Sequence, residues 1–279
     1  MHPIIFHLGN LPVTSYGLFL SIAFAAGIVV ARVRARARDL DGEIIVEVSI
    51  LILVTSLLGS RLLFAVENPE LFVPPEGSWS RLWTPFLKQE TTGGMAGLSM
   101  SGGVVLAVGS TLLFLRHRGV SALRYADVLA PSVALGAAIT RIGCFLNGCC
   151  HGVVCSYPWG VVFPAGSPAA RAFGSVAVHP TQLYASLVNA LLFGGLIWLA
   201  GTRGARARAG LVFFWFLVST AGVRLALDTI RHYPADDRVY GPFYVHTPLV
   251  ALLLLAGLLG LAALRRAPEG RENEGRGSG

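Results

Sequence analysis

Seven long apolar stretches constrain the fold of this 279-residue chain more than any other feature. A helix needs about 20 mostly apolar residues to cross a bilayer. Only 13% of the chain is charged, against about 25% in soluble proteins. The sequence therefore predicts an all-α integral membrane protein with seven transmembrane helices, at Ser15–Val33, Ile44–Val66, Leu98–Leu115, Val128–Leu146, Pro180–Leu199, Leu211–Arg231 and Tyr244–Leu264.

The placement of arginines predicts how these helices are oriented, because positive residues collect in cytoplasmic loops. Fourteen arginines follow the first, third, fifth and seventh helices, namely Arg32, Arg34, Arg36, Arg38, Arg116, Arg118, Arg124, Arg203, Arg206, Arg208, Arg265, Arg266, Arg271 and Arg276. The opposite side holds Arg81, Lys88, Arg171 and Arg238. We therefore expect the N-terminus outside and the C-terminus in the cytoplasm. This topology accounts for the net charge of +7, so no nucleic-acid partner is predicted.

The connections between the helices are too short for a separate soluble domain, so residues 1–266 are predicted to form one membrane domain. Two extracytoplasmic loops, Glu67–Gly94 and Asn147–His179, are long enough to build structure outside the bilayer. Residues 267–279 are polar and glycine-rich, and we expect them to form a disordered cytoplasmic tail.

Conspicuous polar residues lie near the extracytoplasmic ends of the predicted helices. An arginine in hydrocarbon costs several kcal/mol, and its guanidinium fork suits a phosphate. The sequence therefore predicts one cavity for a phospholipid headgroup, although snorkelling or interhelical ion pairs are the alternative for each arginine. The residues at this depth are Arg61, Arg141, Arg224, Arg231, Tyr16, Ser101 and His179.

The sixth predicted helix carries Arg224, Asp228 and Arg231 at positions i, i+4 and i+7. That spacing puts all three on one helical face. Arg224 and Asp228 can neutralise each other, which leaves Arg231 and Arg141 as net positive charge facing the cavity.

All four cysteines, Cys144, Cys149, Cys150 and Cys155, lie within twelve residues of one another, together with His151. Disulfides or simple packing are the first interpretation, since disulfides persist outside the cytoplasm. Redox chemistry comes second. A metal site comes third, because the spacing is not typical of chelating pairs, and no metal is predicted.

Two further features have both a local and a functional interpretation. His179 precedes Pro180, where it either hydrogen bonds locally or acts in catalysis. Gly102 and Gly103 follow Ser101 at the start of the third helix, and adjacent glycines allow either close helix packing or backbone approach to a ligand.

Six short motifs follow one another along nearly the whole chain. They are Ser15-Tyr16-Gly17-Leu18, Gly59-Ser60-Arg61-Leu62, Asp127 with Pro131, Arg141-Ile142-Gly143 with Phe145, Asn147-Gly148 and Gly152, His179-Pro180-Thr181-Gln182-Leu183-Tyr184, and Arg224 with Arg231. In this order they resemble the prolipoprotein diacylglyceryl transferase family. The resemblance implies that a diacylglyceryl group moves from phosphatidylglycerol to the lipobox cysteine of a preprolipoprotein. It also implies a multi-pass protein of the bacterial inner membrane whose site faces the periplasm, with membrane lipids as neighbours and no cofactor.

The resemblance implies a role for each matching position. Arg141 and Arg224 would hold the phosphate and stabilise the leaving group, Tyr16 and Asn147 would shape the headgroup site, and Arg231 would pair with Asp228. The implied catalytic residues are Arg141, Arg224, Ser101 and His179. The implied substrate-binding residues are Tyr16, Arg61, Gly102, Gly103, Asn147, Gly152, Asp228 and Arg231.

The chain departs from the family pattern at several polar positions. Ser101 stands where the family usually has histidine, Cys144 replaces an asparagine, and Cys149 replaces an acidic residue. Ala185 and Thr220 replace a glutamate and a tyrosine, and Asp228 is a shortened glutamate. A general base would then have to be His151 or His179. The alternatives are a divergent paralogue with another acceptor or thiol chemistry, and a non-catalytic lipid-binding protein.

Overall fold

The computed structural model of the protein describes residues 4–8, 11–69, 99–233, 238–240, 243–244 and 247–266. Most of the predicted loop at Glu67–Gly94 and the whole predicted tail at 267–279 lie outside these residues. The described helices are α1 (Ser15–Arg36), α2 (Gly42–Glu67), α3 (Met100–His117), α4 (Ala122–Asn147), α5 (Pro168–Phe173), α6 (Thr181–Gly201), α7 (Arg203–Ala207), α8 (Leu211–Asp228) and α9 (Thr247–Arg266).

Six of the described helices are long and apolar enough to cross a membrane, namely α1, α2, α4, α6, α8 and α9. The protein is therefore a helical, multi-pass membrane protein, as the sequence predicts. The third predicted span coincides with α3, whose described apolar part, Ser101–His117, is shorter than the other six. A crossing by α3, and with it the total of seven spans, stays a prediction, as does the orientation of the protein.

The predicted helix bounds differ from the observed ones most clearly at two places. α4 begins at Ala122, before the predicted Val128, and continues through Pro131 to Asn147. The predicted end of the sixth span at Arg231 is wrong, because α8 ends at Asp228. The chain beyond it pairs with other backbone segments instead of continuing the helix.

Two short antiparallel hairpins add to the all-α architecture that the sequence predicts. One joins β1 (Ile4–Leu8) to β2 (Leu11–Thr14), and the other joins β3 (Arg238–Tyr240) to β4 (Phe243–Tyr244). The first hairpin runs directly into α1, where the Thr14 hydroxyl accepts a hydrogen bond of 3.2 Å from the Gly17 N–H. That bond caps the helix, since it satisfies one of its unpaired N-terminal donors.

The chain divides into two compact units, residues 38–122 and residues 1–37 with 123–279. The first holds α2 and α3, which pack through glycines: a Cβ added to Gly59 would lie 2.7 Å from the Leu106 Cβ, and one added to Gly102 would meet the Gly59 carbonyl. An ion pair between Arg118 and Glu47 also joins the two helices. Close packing, one of the two roles predicted for Gly102, is thus observed.

In the larger unit, α1 approaches α4 at Gly143, where an added Cβ would lie 2.8 Å from the Phe19 Cβ and 3.3 Å from the Ser15 carbonyl oxygen. The buried Asp127 carboxylate of α4 accepts hydrogen bonds from the N–H groups of Gly210 (2.7 Å) and Phe213 (2.8 Å). A carboxylate at this helix start satisfies backbone donors and complements the helix dipole. These contacts hold α1, α4 and α8 in place.

Three segments that border the ends of α4, α6 and α8 form a backbone network, defined here as residues 151–155, 177–179 and 230–232. The Gly152 N–H donates to the His179 carbonyl at 2.9 Å, and the Val153 N–H donates to the Ile230 carbonyl at 3.0 Å. Gly152 also lies opposite Arg231 in an antiparallel bridge. The network therefore places the residues that follow α4 beside those that follow α8.

Candidate functional site

The C-terminus of α4 ends in a turn that brings two cysteines together. The Cys149 N–H donates to the Cys144 carbonyl at 3.2 Å and the Gly148 N–H to the Phe145 carbonyl at 3.1 Å, with Gly148 at a φ of 73°. These are the two bonds of a Schellman motif, which needs a left-handed residue and favours glycine there. The motif folds Cys149 back over Cys144, which lies five residues earlier, in the last part of the helix.

Cys150 completes a cluster of three thiols. Its φ of 64° is left-handed, a conformation that costs a residue with a Cβ about 1–3 kcal/mol. The Sγ atoms of Cys144, Cys149 and Cys150 all lie within 4.8 Å of one another. All four cysteines carry free thiols, and Cys155 is not a member of this group. The predicted disulfides stay a prediction, since the three clustered sulfurs are near enough to pair after rotation.

The start of α6 holds this turn through its backbone. The Thr181 hydroxyl donates to the Cys150 carbonyl at 2.8 Å, and the Gln182 amide donates to the Cys149 carbonyl at 2.7 Å. Both side chains are buried, so water competes little for either bond. Thr181 and Gln182 therefore act as positioning residues for the thiol cluster.

A cavity of about 140 Å³ lies beside the cluster, between α4, α6 and α8. It brings together three of the predicted site residues, Arg141, Arg224 and Arg231, and adds Cys150. The rest of its lining is small, apolar or amide- and hydroxyl-bearing, and consists of Ala137, Thr181, Ala185, Asn189, Thr220, Val223 and Leu227.

The charges around the cavity are partly compensated. The Arg224 Nε lies 3.3 Å from the Asp228 Oδ1, as the i, i+4 spacing predicts. The Tyr233 hydroxyl accepts a hydrogen bond of 2.7 Å from Arg224 and donates one to Asp228. Burial and, to a smaller extent, the hydrogen bond to Asp228 raise the pKa of Tyr233. The hydroxyl therefore keeps the proton that it donates.

Arg231 reaches the cavity in a different way from the one predicted. The prediction that it shares one helical face with Arg224 and Asp228 is wrong, because α8 ends before it and the backbone network holds it opposite Gly152. Its guanidinium carbon lies 5.4 Å from the centre of the Tyr233 ring. The predicted pairing of Arg231 with Asp228 stays a prediction.

Two polar atoms of the cavity lining are buried and have no hydrogen-bond partner among the described residues. They are the Arg231 Nε and the Thr220 hydroxyl oxygen. Buried polar atoms are normally satisfied, so these two are suited to a ligand that supplies acceptors. Three arginines against one carboxylate leave a net charge of about +2, which suits a phosphate of one or two negative charges.

Neither histidine considered as a general base lines this cavity. His151 is buried, its Nδ1 lies 3.1 Å from the Gly152 carbonyl oxygen, and its ring stacks on His232 with centroids 5.5 Å apart. Burial lowers the pKa of His151. The His179 Nδ1 lies 3.3 Å from the Tyr184 hydroxyl. Among the described lining residues, Cys150 is the one ionisable side chain besides the three arginines.

The remaining predicted site residues do not line this cavity, although the side chains of Tyr16 and Asn147 lie beside the thiol cluster. Asn147 lines a separate cavity of about 370 Å³ with Gly148 and Ser167. Gly152 belongs to the backbone network, where an added Cβ would lie 2.6 Å from the Ile230 carbonyl oxygen. Tyr16 packs against Gly143, with its Cα 3.2 Å from the place of an added Cβ.

Four predicted residues lie in the smaller unit. Arg61 is buried there with its guanidinium carbon 5.5 Å from the centre of the Phe64 ring. Ser101 is exposed at the start of α3, followed by Gly102 and Gly103. Their roles in binding or catalysis stay predictions.

Sequence reasoning missed the parts of the site that depend on tertiary pairing. Tyr233 follows the predicted end of the sixth helix, and nothing in its local sequence indicates that it joins Arg224 to Asp228. Thr181 and Thr220 are moderately polar residues in apolar helices, a signal too weak to separate them from others. Gln182 gives a stronger sequence signal, since a buried amide in a membrane helix needs a hydrogen-bond partner.

Comparison with known proteins gives one consistent result. The family model described as prolipoprotein diacylglyceryl transferase matches residues 3–263. A protein of Clostridium tetani is 28% identical over 85% of this chain and 88% of its own length. A protein of Synechococcus elongatus is 27% identical over 93% of this chain and 86% of its own length. A protein of Listeria welshimeri is 26% identical over 95% of this chain and 90% of its own length. All three are named phosphatidylglycerol–prolipoprotein diacylglyceryl transferase.

Proposed function

This chain belongs to the prolipoprotein diacylglyceryl transferase family, and we propose that it transfers a diacylglyceryl group from phosphatidylglycerol to the cysteine thiol of a prolipoprotein. The family predicted from the ordered motifs is confirmed by the match over residues 3–263. The similar proteins carry the names of both substrates. The finer specificity, for a lipobox cysteine within a signal peptide, belongs to the proposal.

The observation that carries this function is the convergence of Arg141, Arg224 and Arg231 on one cavity. Phosphatidylglycerol presents a single phosphodiester, whose oxygens match guanidinium donors. The unpaired Arg231 Nε and Thr220 hydroxyl offer two further contacts. The net positive charge around the cavity would exceed the single negative charge of the bound headgroup. It would therefore stabilise the leaving glycerol phosphate, which carries more negative charge, better than the bound lipid.

In the proposed reaction, the acceptor sulfur attacks the glyceryl carbon that bears the phosphoester oxygen. The carbon–sulfur bond forms as the carbon–oxygen bond breaks, and its electron pair leaves with glycerol phosphate. Charge grows on the phosphate as the bond breaks, so Arg141 and Arg224 would stabilise the transition state more than the bound lipid. The acceptor thiol must lose its proton for this attack, since the thiolate is the nucleophile.

The location of the site in the cell is also part of this proposal. The arginine asymmetry of the loops supports an N-terminus outside and a cytoplasmic C-terminus. With seven spans, the ends of α4 and α8 near the cavity would face the periplasm of a bacterial inner membrane. That side is where exported prolipoproteins would meet the enzyme.

Two assays test the function together. The gene is expressed in a strain depleted of its own transferase, and the purified protein is given phosphatidylglycerol and a lipobox-cysteine peptide. We expect growth in the first assay and a mass increase of one diacylglyceryl group on the peptide in the second. Failure of both assays with folded protein would reject the function.

The cavity chemistry favours one alternative, a phospholipid-dependent transferase with another thiol acceptor. Cys144 and Cys149 stand where relatives are expected to carry an asparagine and an acidic residue, so the acceptor side of the site differs. Supplying the purified protein with radiolabelled phosphatidylglycerol and a bacterial membrane extract identifies the acceptor by the label that it retains. Label on a species other than a lipoprotein supports this alternative.

A further inference from the structure

The thiol cluster borders the cavity through Cys150, and the proposed function gives it no task. Its three sulfurs come from the last turn of α4 and the turn that follows it, within 4.8 Å of one another. A zinc ion with Zn–S bonds of about 2.3 Å holds tetrahedral thiolates about 3.8 Å apart. Closing the three sulfurs onto one ion therefore requires shifts of about 1 Å or less.

We propose that Cys144, Cys149 and Cys150 form a three-thiolate site for one zinc ion, and that its fourth coordination position takes the thiol of the acceptor. This inference rests on the proposed function for the identity of the acceptor, and on the geometry alone for the metal. It departs from the prediction that the cluster holds no metal. The spacing along the chain does not favour zinc, because Cys149 and Cys150 are adjacent. With Cys150 at a left-handed φ of 64°, the Sγ atoms of both residues nevertheless lie within 4.8 Å of each other and of the Cys144 Sγ.

The surroundings of the cluster fit a zinc ion held by three thiolates. Thr181 and Gln182 hold the backbone carbonyls of Cys150 and Cys149, as residues around a metal site fix the ligands. One zinc ion with three thiolates carries a charge of about −1. Arg141 and Arg231 would balance this charge, since both line the cavity with Cys150.

The position of the cluster suits activation of the acceptor. Catalytic zinc sites have three protein ligands and one open position, whereas structural sites are closed by four. Cys155, the fourth cysteine of the chain, is not within the group. Cys150 opens onto the arginine cavity, so an acceptor sulfur next to it would lie near the phosphate that Arg141 and Arg224 hold.

A zinc-bound thiol loses its proton outright, which removes the need for a general base. The acceptor thiol would release its proton to water as it binds. Its sulfur would then attack the glyceryl carbon, the carbon–oxygen bond would break, and the electron pair would leave on glycerol phosphate. The thioether product is neutral and binds zinc more weakly than a thiolate, so the next acceptor can replace it. This chemistry accounts for a cavity whose described lining has neither histidine nor carboxylate.

The metal is tested independently of transfer. The full-length protein is purified in detergent, exposed to zinc under reducing conditions, freed of excess ion and analysed for bound metal. We expect about one zinc ion per chain in the wild type, and loss of most of it in Cys144→Ser, Cys149→Ser and Cys150→Ser. Cys155→Ser is the matched control, because Cys155 and Cys144 are equally buried at 4% exposure; it should keep its zinc.

Cobalt tests the open position. Co²⁺ replaces zinc and reports its ligands by a sulfur-to-metal absorption whose intensity grows with each thiolate. We expect this absorption to rise when the lipobox-cysteine peptide is added, and to stay unchanged with the matching serine peptide. Unchanged absorption with both peptides would reject the fourth-ligand role.

Several results would overturn the proposal. They are a wild type that binds no zinc, zinc that survives all three cysteine substitutions, and a disulfide within the cluster in protein isolated without reductant. Thermal unfolding of each variant shows whether it is folded, and a Cys150→Asp variant keeps an anionic ligand if serine prevents folding. Full transferase activity without zinc would reject this inference and leave the proposed function intact. Zinc on the three cysteines without transfer would support the site and reject the function.

Discussion

The Arg224 guanidinium lies 3.3 Å from the Asp228 carboxylate, and both side chains also hydrogen bond the Tyr233 hydroxyl. The side chains of Arg224 and Asp228 are only 25% and 12% exposed, so the pair is shielded from most solvent screening. Such a pair fixes the direction of the guanidinium fork. The cavity therefore contains an arginine whose donors are oriented before any substrate binds.

Replacing Arg224 tests the need for this oriented donor. We expect Arg224→Ala to lower the rate of diacylglyceryl transfer by about 100-fold or more, the effect of removing one transition-state donor. Arg224→Lys should recover part of the loss, because it keeps the charge but not the planar fork. The measurement is initial rate with phosphatidylglycerol and a lipobox peptide. Arg206→Ala on α7, an exposed site, should keep the wild-type rate, and equal losses in both variants would contradict the prediction.

Tyr233 connects the two charges, so its hydroxyl should contribute to activity without contacting the substrate. Tyr233→Phe removes two hydrogen bonds to charged groups, each worth about 1.5–3 kcal/mol, and we expect a loss of about 10-fold or more in rate. Combined with Arg224→Lys, the losses should be less than additive, since both act through one network. Tyr157→Phe, at a residue 57% exposed, is the control. Strictly additive losses would show that Tyr233 acts independently of Arg224.

The carboxylate of Asp127 should stabilise the start of α8. Asp127→Asn replaces one acceptor oxygen by an amide donor that faces the N–H groups of Gly210 and Phe213. An unpaired buried donor costs about 1–3 kcal/mol. We expect the Tm in detergent to fall by several degrees, with no such change in Asp39→Asn, an exposed turn residue of the same charge. Equal Tm values for the two variants would exclude a capping role.

Gly143 and Gly136 lie two turns apart on α4 and give a matched test of helix packing. A Cβ at Gly143 would lie 2.8 Å from the Phe19 Cβ, whereas one at Gly136 would lie 3.8 Å from the nearest atom, the Ala23 carbonyl oxygen. Gly143→Ala should therefore lower the Tm. Gly136→Ala should be neutral or raise it, because alanine is favoured over glycine in a helix by about 1 kcal/mol. The opposite order would contradict the observed approach of α1 to α4.

The sequence predicts the helices well because the length and hydropathy of a membrane span are local properties. It also predicts that Arg141 and Arg224 face a common cavity, since a buried arginine in a span needs a partner or a ligand. The end of α8 is different, because Val153, nearly eighty residues earlier in the chain, binds the Ile230 carbonyl. The local sequence does not indicate that pairing, so the i, i+7 spacing alone predicts that Arg231 lies on the helix.

The cysteines illustrate the same limit on a shorter scale. The Asn147-Gly148 pair indicates a helix end, but nothing in the local sequence indicates the left-handed φ of Cys150, whose carbonyl accepts a hydrogen bond from Thr181. The sequence spacing of Cys144, Cys149 and Cys150 is not typical of residues that share one metal site. Convergence of the three sulfurs is thus a tertiary property that no pattern of spacing predicts.

The backbone network has a consequence for how such a site can change during evolution. Its bonds join main-chain groups of residues 151–155, 177–179 and 230–232, and side chains such as Val153 and Val154 point to exposed positions, 40% and 52% accessible. These bonds use main-chain atoms, so they hold residue 231 opposite Gly152 whatever side chain residue 231 carries. The charged group at residue 231 can therefore be exchanged by substitution while the main-chain frame that carries it stays in place.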